Sequence, residues 1–131
     1  MTKILVDTSI WIEYFKANKE VLEIIHDRKN YEIFIAGPII TELIQGLKTE
    51  KEKAKFSMCI DAIPKLPLND TIWVDAGNYG NTLRRSGVTI PLADLIIFTM
   101  ACKYNCSLFS LDKHFKIIKD TIKNDFDLIR I

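Results

Sequence analysis

The chain has 131 residues, the length of one domain, and we treat residues 1–131 as a single domain. Its 18 basic and 17 acidic side chains give a formal net charge of +1, which argues neither for nor against a polyanionic partner. No apolar run approaches the roughly 20 residues of a membrane span. The 3 cysteines lack CxxC spacing, so free thiols in a reducing cytoplasm are expected and a zinc site is not.

The predicted elements alternate between strands and helices along the chain. Residues 4–6 predict a strand, followed by helices after residues 7–9 and over about 19–28, and residues 31–36 predict a second strand. Helices are predicted over 38–46, 48–63, 70–85 and 91–104, and residues 66–68 are compatible with a brief strand. Strands at 107–111 and 127–131 enclose a helix over 112–119. We therefore expect a three-layer α/β/α fold with a mostly parallel central sheet of about five strands.

Four carboxylates lie where strands meet helices. Asp7 ends the first strand, Glu42 lies in the second turn of the helix after the second strand, and Asp94 and Asp112 precede and follow the strand at 107–111. In a parallel sheet these junctions all map to the carboxyl edge, where open α/β sheets usually bind ligands. Unpaired acids gathered in a cleft repel each other, so the pattern predicts a bound divalent cation.

Each acid also has a simpler interpretation. Asp7 and Asp112 are both suited to cap a helix, and Glu42 fits the polar stripe of its helix. Asp94 is harder to explain in this way because apolar residues flank it on both sides, where an ionised carboxylate is costly unless it is paired. Four such residues at one edge favour one site over four coincidences.

Four segments carry a family resemblance. They are VDTSIWI at 6–12, PIITELIQG at 38–46, IPLADLII at 90–97 and LFSLDKHF at 108–115. In this order they resemble the four motifs of the PIN-domain ribonucleases, and among these the VapC-type toxins of toxin–antitoxin pairs. The resemblance is collinear and spans nearly the whole chain, so the combination is far more specific than any one segment.

The resemblance implies an endoribonuclease that holds Mg²⁺ or Mn²⁺ and uses a metal-activated water to attack a phosphodiester bond of RNA. It also implies a homodimer and a small cognate antitoxin that places a basic side chain in the acidic pocket. The acids that would hold the metal are Asp7, Glu42, Asp94 and Asp112. Ser9 and Ser110 match hydroxyl positions that orient acids or waters, whereas His114 stands where many relatives carry an acid or another polar residue.

Four basic residues flank the predicted edge and are candidates for contacts with RNA phosphates: Arg84, Arg85, Lys113 and Lys116. Ordinary solubilising charges explain each of them equally well.

Two other classes of protein remain open. A haloacid-dehalogenase-like phosphatase needs a second acid two residues after the first, where this chain has Ser9, and a receiver domain needs an acid pair with a reachable lysine. A catalytically inactive PIN-like module that only binds RNA is the third alternative. The presence of all four acids argues against it.

Overall fold

The structure is a computed structural model that describes residues 1–131. The strands are β1 (Thr2–Val6), β2 (Tyr31–Phe34), β3 (Ser107–Phe109) and β4 (Leu128–Ile129). The helices are α1 (Thr8–Phe15), α2 (Lys19–Ile25), α3 (Gly37–Gly46), α4 (Glu50–Asp61), α5 (Asp70–Arg85), α6 (Leu92–Lys103) and α7 (Lys113–Thr121). All strand pairs are parallel and the sheet order is β2-β1-β3-β4, so the predicted α/β fold is confirmed. No helix combines the length and the apolar character needed to cross a membrane.

The sheet has four strands where about five were predicted. The strand expected at residues 66–68 is reduced to a single parallel bridge between Ile35 and Lys65. Around it, Ile35 donates to the carbonyl of Pro64 and Leu66 donates to the carbonyl of Ile35. The pairing stops there because the neighbouring chain enters α3 at Gly37 and is no longer extended.

The core surrounds the two central strands. Ile4, Leu5 and Val6 of β1 are fully buried, as are Leu108 and Phe109 of β3. Successive side chains of a strand point to opposite faces, so both faces of the sheet are covered. Residues 96–101 of α6 are also all buried, which places this helix inside the protein over most of its circumference.

The turn between α5 and α6 brings the chain back to the carboxyl edge. Gly87 has φ of 81°, a left-handed conformation that glycine adopts without steric cost. The N–H of Val88 donates to the carbonyl of Leu83 and that of Gly87 to Arg84, which closes α5. Helix α6 then begins after Pro91, so that its first turn lies at the edge where the strands end.

The connections of the sheet diverge between its two central strands. The chain leaves β1 towards β2 on one side and leaves β3 towards β4 on the other. The gap between the carboxyl ends of β1 and β3 is therefore a topological switch point, where a crevice opens because the two connections move apart.

A buried tryptophan supports the β1 end of this crevice. The Nε1–H of Trp11 donates to the carbonyl of Val6 at 3.0 Å, and the side chain is 1% exposed. We expect Trp11→Phe to lower the free energy of unfolding by about 1–3 kcal/mol, because the buried carbonyl loses its donor. Trp73→Phe is the matched control, since Trp73 is 50% exposed on α5 and the change should cost less than about 0.5 kcal/mol. Urea unfolding measures both, and equal losses would contradict the assignment.

Candidate active site

Asp7 occupies the switch point. Its N–H donates to the carbonyl of Phe109 at 3.0 Å, which pins the residue between the ends of β1 and β3. One carboxylate oxygen, Oδ2, accepts hydrogen bonds from Ser110 Oγ at 2.8 Å and from Ser9 Oγ at 3.0 Å. Burial raises the pKa of Asp7, although these hydrogen bonds oppose the shift.

The two serines tie the neighbouring chain segments to Asp7. Ser9 Oγ accepts the N–H of Leu111 at 2.9 Å, and Ser110 Oγ accepts the N–H of Asp112 at 3.0 Å. The two hydroxyl oxygens lie 3.3 Å apart. The segment that leads from β3 into α7 is therefore held against the end of β1 by side-chain hydrogen bonds.

Asp94, Asp112 and His114 form the other half of the cluster. His114 Nδ1 lies 2.8 Å from Asp94 Oδ2 and 3.1 Å from Asp112 Oδ1. One ligand atom from each residue lies within 4.8 Å of the others. Asp112 Oδ1 also accepts the N–H of His114 at 2.9 Å, so Asp112 caps α7 while its carboxylate faces Asp94 and His114.

The pKa of Asp94 is raised to about 6. Burial is the largest cause, followed by the negative charges of Asp112 and then Asp7, whereas His114 acts in the opposite direction. Because Asp94 lies in the first turn of α6, the helix dipole favours its charged form, but this does not cancel the increase in pKa that burial causes.

Glu42 completes the cluster from α3. Thr8 Oγ1 donates to Glu42 Oε1 at 3.3 Å. The pKa of Glu42 is raised by partial burial first, then by the charge of Asp7 and, more weakly, by that of Asp112. The structure thus brings all four predicted acids into one electrostatic environment, with Glu42 on its open side.

No lysine or arginine side chain forms an ion pair with these acids. The lysine ion pairs of the chain join Lys16 to Glu13, Lys53 to Glu50 and Lys116 to Asp120, and none involves the cluster. The cluster presents mainly carboxylate oxygens, which are the ligands that hard divalent cations such as Mg²⁺ and Mn²⁺ prefer. The residues present therefore fit a divalent cation.

The four predicted phosphate-binding residues lie around the same edge of the sheet, and one of them, Lys116, is paired with an acid outside the cluster. Arg84 and Arg85 occupy the last turn of α5, and Lys113 begins α7. Lys116 is engaged by Asp120 at 3.0 Å.

Two contacting residues were missed in the sequence, Thr8 and Arg130. Thr8 follows Asp7 directly, and Arg130 lies near the end of the last predicted strand. Their positions at the edge could therefore be inferred from the sequence, but their contacts with Glu42 and Asp112 could not.

The raised pKa of Asp94 has a consequence for stability without metal. The pKa of its carboxyl is raised from 3.8 to about 6 on folding, so protonation favours the folded state. The stability that this group contributes is fully present below about pH 4 and is lost as the pH rises through about 6. In EDTA at pH 8, we expect Asp94→Asn to raise the free energy of unfolding by about 1–2 kcal/mol. The gain should vanish below about pH 4 and shrink when Mg²⁺ stabilises the wild type.

Thermal unfolding from pH 4 to 8 measures this effect. Asp75→Asn, which removes an exposed acid in the middle of α5, is the control and should give a nearly flat difference. A destabilised Asp94→Asn protein at pH 8 in EDTA would refute the proposed repulsion.

Comparisons with known proteins place the chain in a family. The sequence model of the PIN domain matches residues 4–120. Ribonuclease VapC3 of Methanocaldococcus jannaschii is 34% identical over 93 residues, covering 71% of this chain and 92% of that protein. Ribonuclease VapC11 of Mycobacterium tuberculosis is 26% identical over 122 residues, covering 88% and 90%.

Solved structures agree with this fold. VapBC2 from Rickettsia felis, bound to a DNA fragment from its promoter, superposes with a TM-score of 0.83 at 19% identity, covering 99% of both chains. DNA-bound VapBC from Salmonella typhimurium gives a TM-score of 0.82 at 18% identity, covering 99% of this chain and 98% of that one. Since the family model covers most of the sequence and four acids gather at its switch point, the chain belongs to the PIN-domain family, among relatives named VapC ribonucleases.

Proposed function

We propose that the chain is a Mg²⁺- or Mn²⁺-dependent endoribonuclease and the toxin of a type II toxin–antitoxin pair. The observation that carries this proposal is the cluster of four carboxylates with no lysine or arginine partner at the switch point of a PIN-domain fold. Its relatives named VapC ribonucleases support RNA as the substrate. The 3 free cysteines suit a cytoplasmic site of action.

In this proposal Asp7, Glu42, Asp94 and Asp112 hold the cation. The bound ion would lower the pKa of a water molecule near the scissile phosphate and balance negative charge as it develops. The chain's own task is to hold the oxygens in place, because small displacements of catalytic groups are costly. Asp7 is suited to this because two serine hydroxyls fix one of its oxygens, which leaves Oδ1 free of side-chain partners.

His114 and Thr8 act on the remaining acids. The imidazole of His114 lies within hydrogen-bond distance of both Asp94 and Asp112, so it holds these two carboxylates at a fixed separation before a cation arrives. Thr8 restricts Glu42, which otherwise lies on an exposed stretch of α3. The site is therefore rigid around Asp7 and Asp94 and more open at Glu42.

Cleavage of RNA tests the proposal directly. With a single-stranded RNA blocked at both ends, we expect internal cleavage in Mg²⁺ or Mn²⁺ and none in EDTA. Asp94→Asn and Asp7→Asn should each reduce the rate by at least about 100-fold, because a carboxylate ligand is replaced by a neutral amide of the same shape. Asp75→Asn should keep wild-type activity.

Each outcome separates the alternatives. Cleavage that persists in EDTA or in Asp94→Asn would refute the metal site. RNA binding without cleavage would support the inactive RNA-binding module. Hydrolysis of phosphate monoesters would support the phosphatase, which the structure disfavours since Ser9, the residue two positions after Asp7, is a hydrogen-bond donor to it.

A small cognate antitoxin is the proposed partner. Structural neighbours include VapBC proteins and a toxin–antitoxin complex, and no arginine or lysine of this chain forms an ion pair with the four acids. We propose that the antitoxin inserts a basic side chain among the four acids, where charge-assisted hydrogen bonds are strong. We also propose that the toxin is a homodimer, as its resemblance to VapC-type toxins implies.

Binding of the purified antitoxin should depend on the cluster. We expect Asp7→Asn and Asp94→Asn to weaken its binding at least about tenfold, since each removes a partner of the inserted cation. Asp75→Asn should bind like the wild type. Isothermal titration measures the affinities, and sedimentation of the free toxin measures its oligomeric state. Unchanged affinity in both cluster variants would contradict insertion into the acids.

A further inference from the structure

Arg130 lies beside the acid cluster at the end of the edge strand. β4 pairs with β3 in parallel, and the N–H of Ser110 donates to the carbonyl of Ile129. The next residue is Arg130, so its backbone reaches the same carboxyl edge as the four acids. Its guanidinium donates through Nη2 to the carbonyl of Leu111 at 3.0 Å and through Nη1 to the carbonyl of Asp112 at 3.2 Å.

These contacts fix the guanidinium to the segment that carries Asp112. The N–H groups of Leu111 and Asp112 bind the hydroxyls of Ser9 and Ser110, while their carbonyls bind Arg130. The segment is therefore held from both sides. An arginine suits this position because its planar fork can donate to two carbonyls at once, which the ammonium group of a lysine does with less directional control.

The charge of Arg130 remains available to a ligand. A guanidinium has five N–H donors, and the two carbonyls use two of them. The side chain is exposed, and it forms no ion pair with any carboxylate. Lys116, by contrast, is paired with Asp120.

We propose that Arg130 binds a backbone phosphate of RNA next to the phosphodiester that is cleaved. This inference rests on the proposed ribonuclease function and assigns one residue of its substrate site. Four acids repel a polyanion, so a neighbouring cation at a fixed distance would both attract the strand and set which phosphate lies over the cluster. Hydrogen bonds to the Asp112 segment pre-organise the guanidinium, which reduces the entropy lost on binding.

The salt dependence of RNA binding distinguishes a phosphate contact from a structural role. We would measure binding of a fluorescent single-stranded RNA in EDTA, where no cleavage is expected, for the wild type, Arg130→Met, Arg130→Gln and Arg130→Lys. Arg28→Met is the matched control, since Arg28 is exposed and precedes β2 at the opposite edge of the sheet. Urea unfolding midpoints establish that all variants are folded.

We expect Arg130→Met and Arg130→Gln to bind more weakly and to make the negative slope of log affinity against log salt shallower by about 0.7, the value for one phosphate contact on a single strand. Their deficit should then shrink about 2.5-fold between about 50 and 200 mM salt. Arg130→Lys should keep the slope, because it keeps the charge. Arg28→Met should match the wild type in affinity and slope.

A wild-type slope in Arg130→Met would overturn the inference. So would recovery of affinity in Arg130→Gln, since glutamine can still donate to a carbonyl but carries no charge. RNA cleavage is measured separately in Mg²⁺. Cleavage by the wild type with an unchanged slope in Arg130→Met would reject the Arg130 contact alone. Binding that follows the expected slopes, without cleavage, would instead reject the proposed nuclease.

Discussion

The carboxylate of Asp7 joins the two central strands at the point where their connections diverge. Its backbone N–H binds Phe109 at the end of β3, and its Oδ2 accepts hydrogen bonds from Ser9 and Ser110. Ser9 and Ser110 in turn accept N–H groups from the segment after β3. Without this carboxylate at most one of the two hydroxyls could donate to the other, and the second would have no acceptor, so the arrangement of the edge depends on Asp7.

This arrangement places acids together at an energetic cost. Burial raises the pKa of both Asp7 and Asp94, and the neighbouring negative charges raise that of Asp94 further. Carboxyls with a raised pKa are enriched at functional sites, because burial and neighbouring like charges are arranged there to shift the pKa of groups that act in chemistry or bind ligands. A divalent cation would relieve the same repulsion that weakens the metal-free protein, so binding and stability are linked at this site.

Most of the fold could be predicted from the periodicity of apolar residues and from the glycine and proline residues that mark the ends of helices and strands. The helix over Asp70–Arg85 was predicted at the same bounds, because Asn69 caps one end and Gly87 closes the other. No strand forms at residues 66–68, since an apolar pattern does not reveal where the neighbouring chain stops being extended, here at the start of α3. Some elements were also predicted too long. The helix predicted over residues 19–28 ends three residues earlier, at Ile25, and the strand predicted over residues 127–131 contains only Leu128 and Ile129.

The four acids could be located from the sequence because strand and helix junctions of a parallel sheet share one edge. Their individual roles could not. Asp112 had two competing interpretations, a helix cap and a site acid, and these do not exclude each other: its carboxylate caps α7 and also lies beside Asp94 and His114. Local sequence distinguishes such roles poorly, because a cap and a site acid both occupy the first turn of a helix.

The sequence by itself determined the alternation of elements, the edge to which Asp7, Glu42, Asp94 and Asp112 map, and the family to which the chain belongs. Only the tertiary structure decided which groups touch these acids. The contacts of Asp7 with Ser110, of Asp94 with His114 and of Asp112 with Arg130 join residues 103, 20 and 18 positions apart. Such contacts depend on how β1, β3, β4 and α6 pack against each other, and packing is set by the whole core rather than by any local pattern.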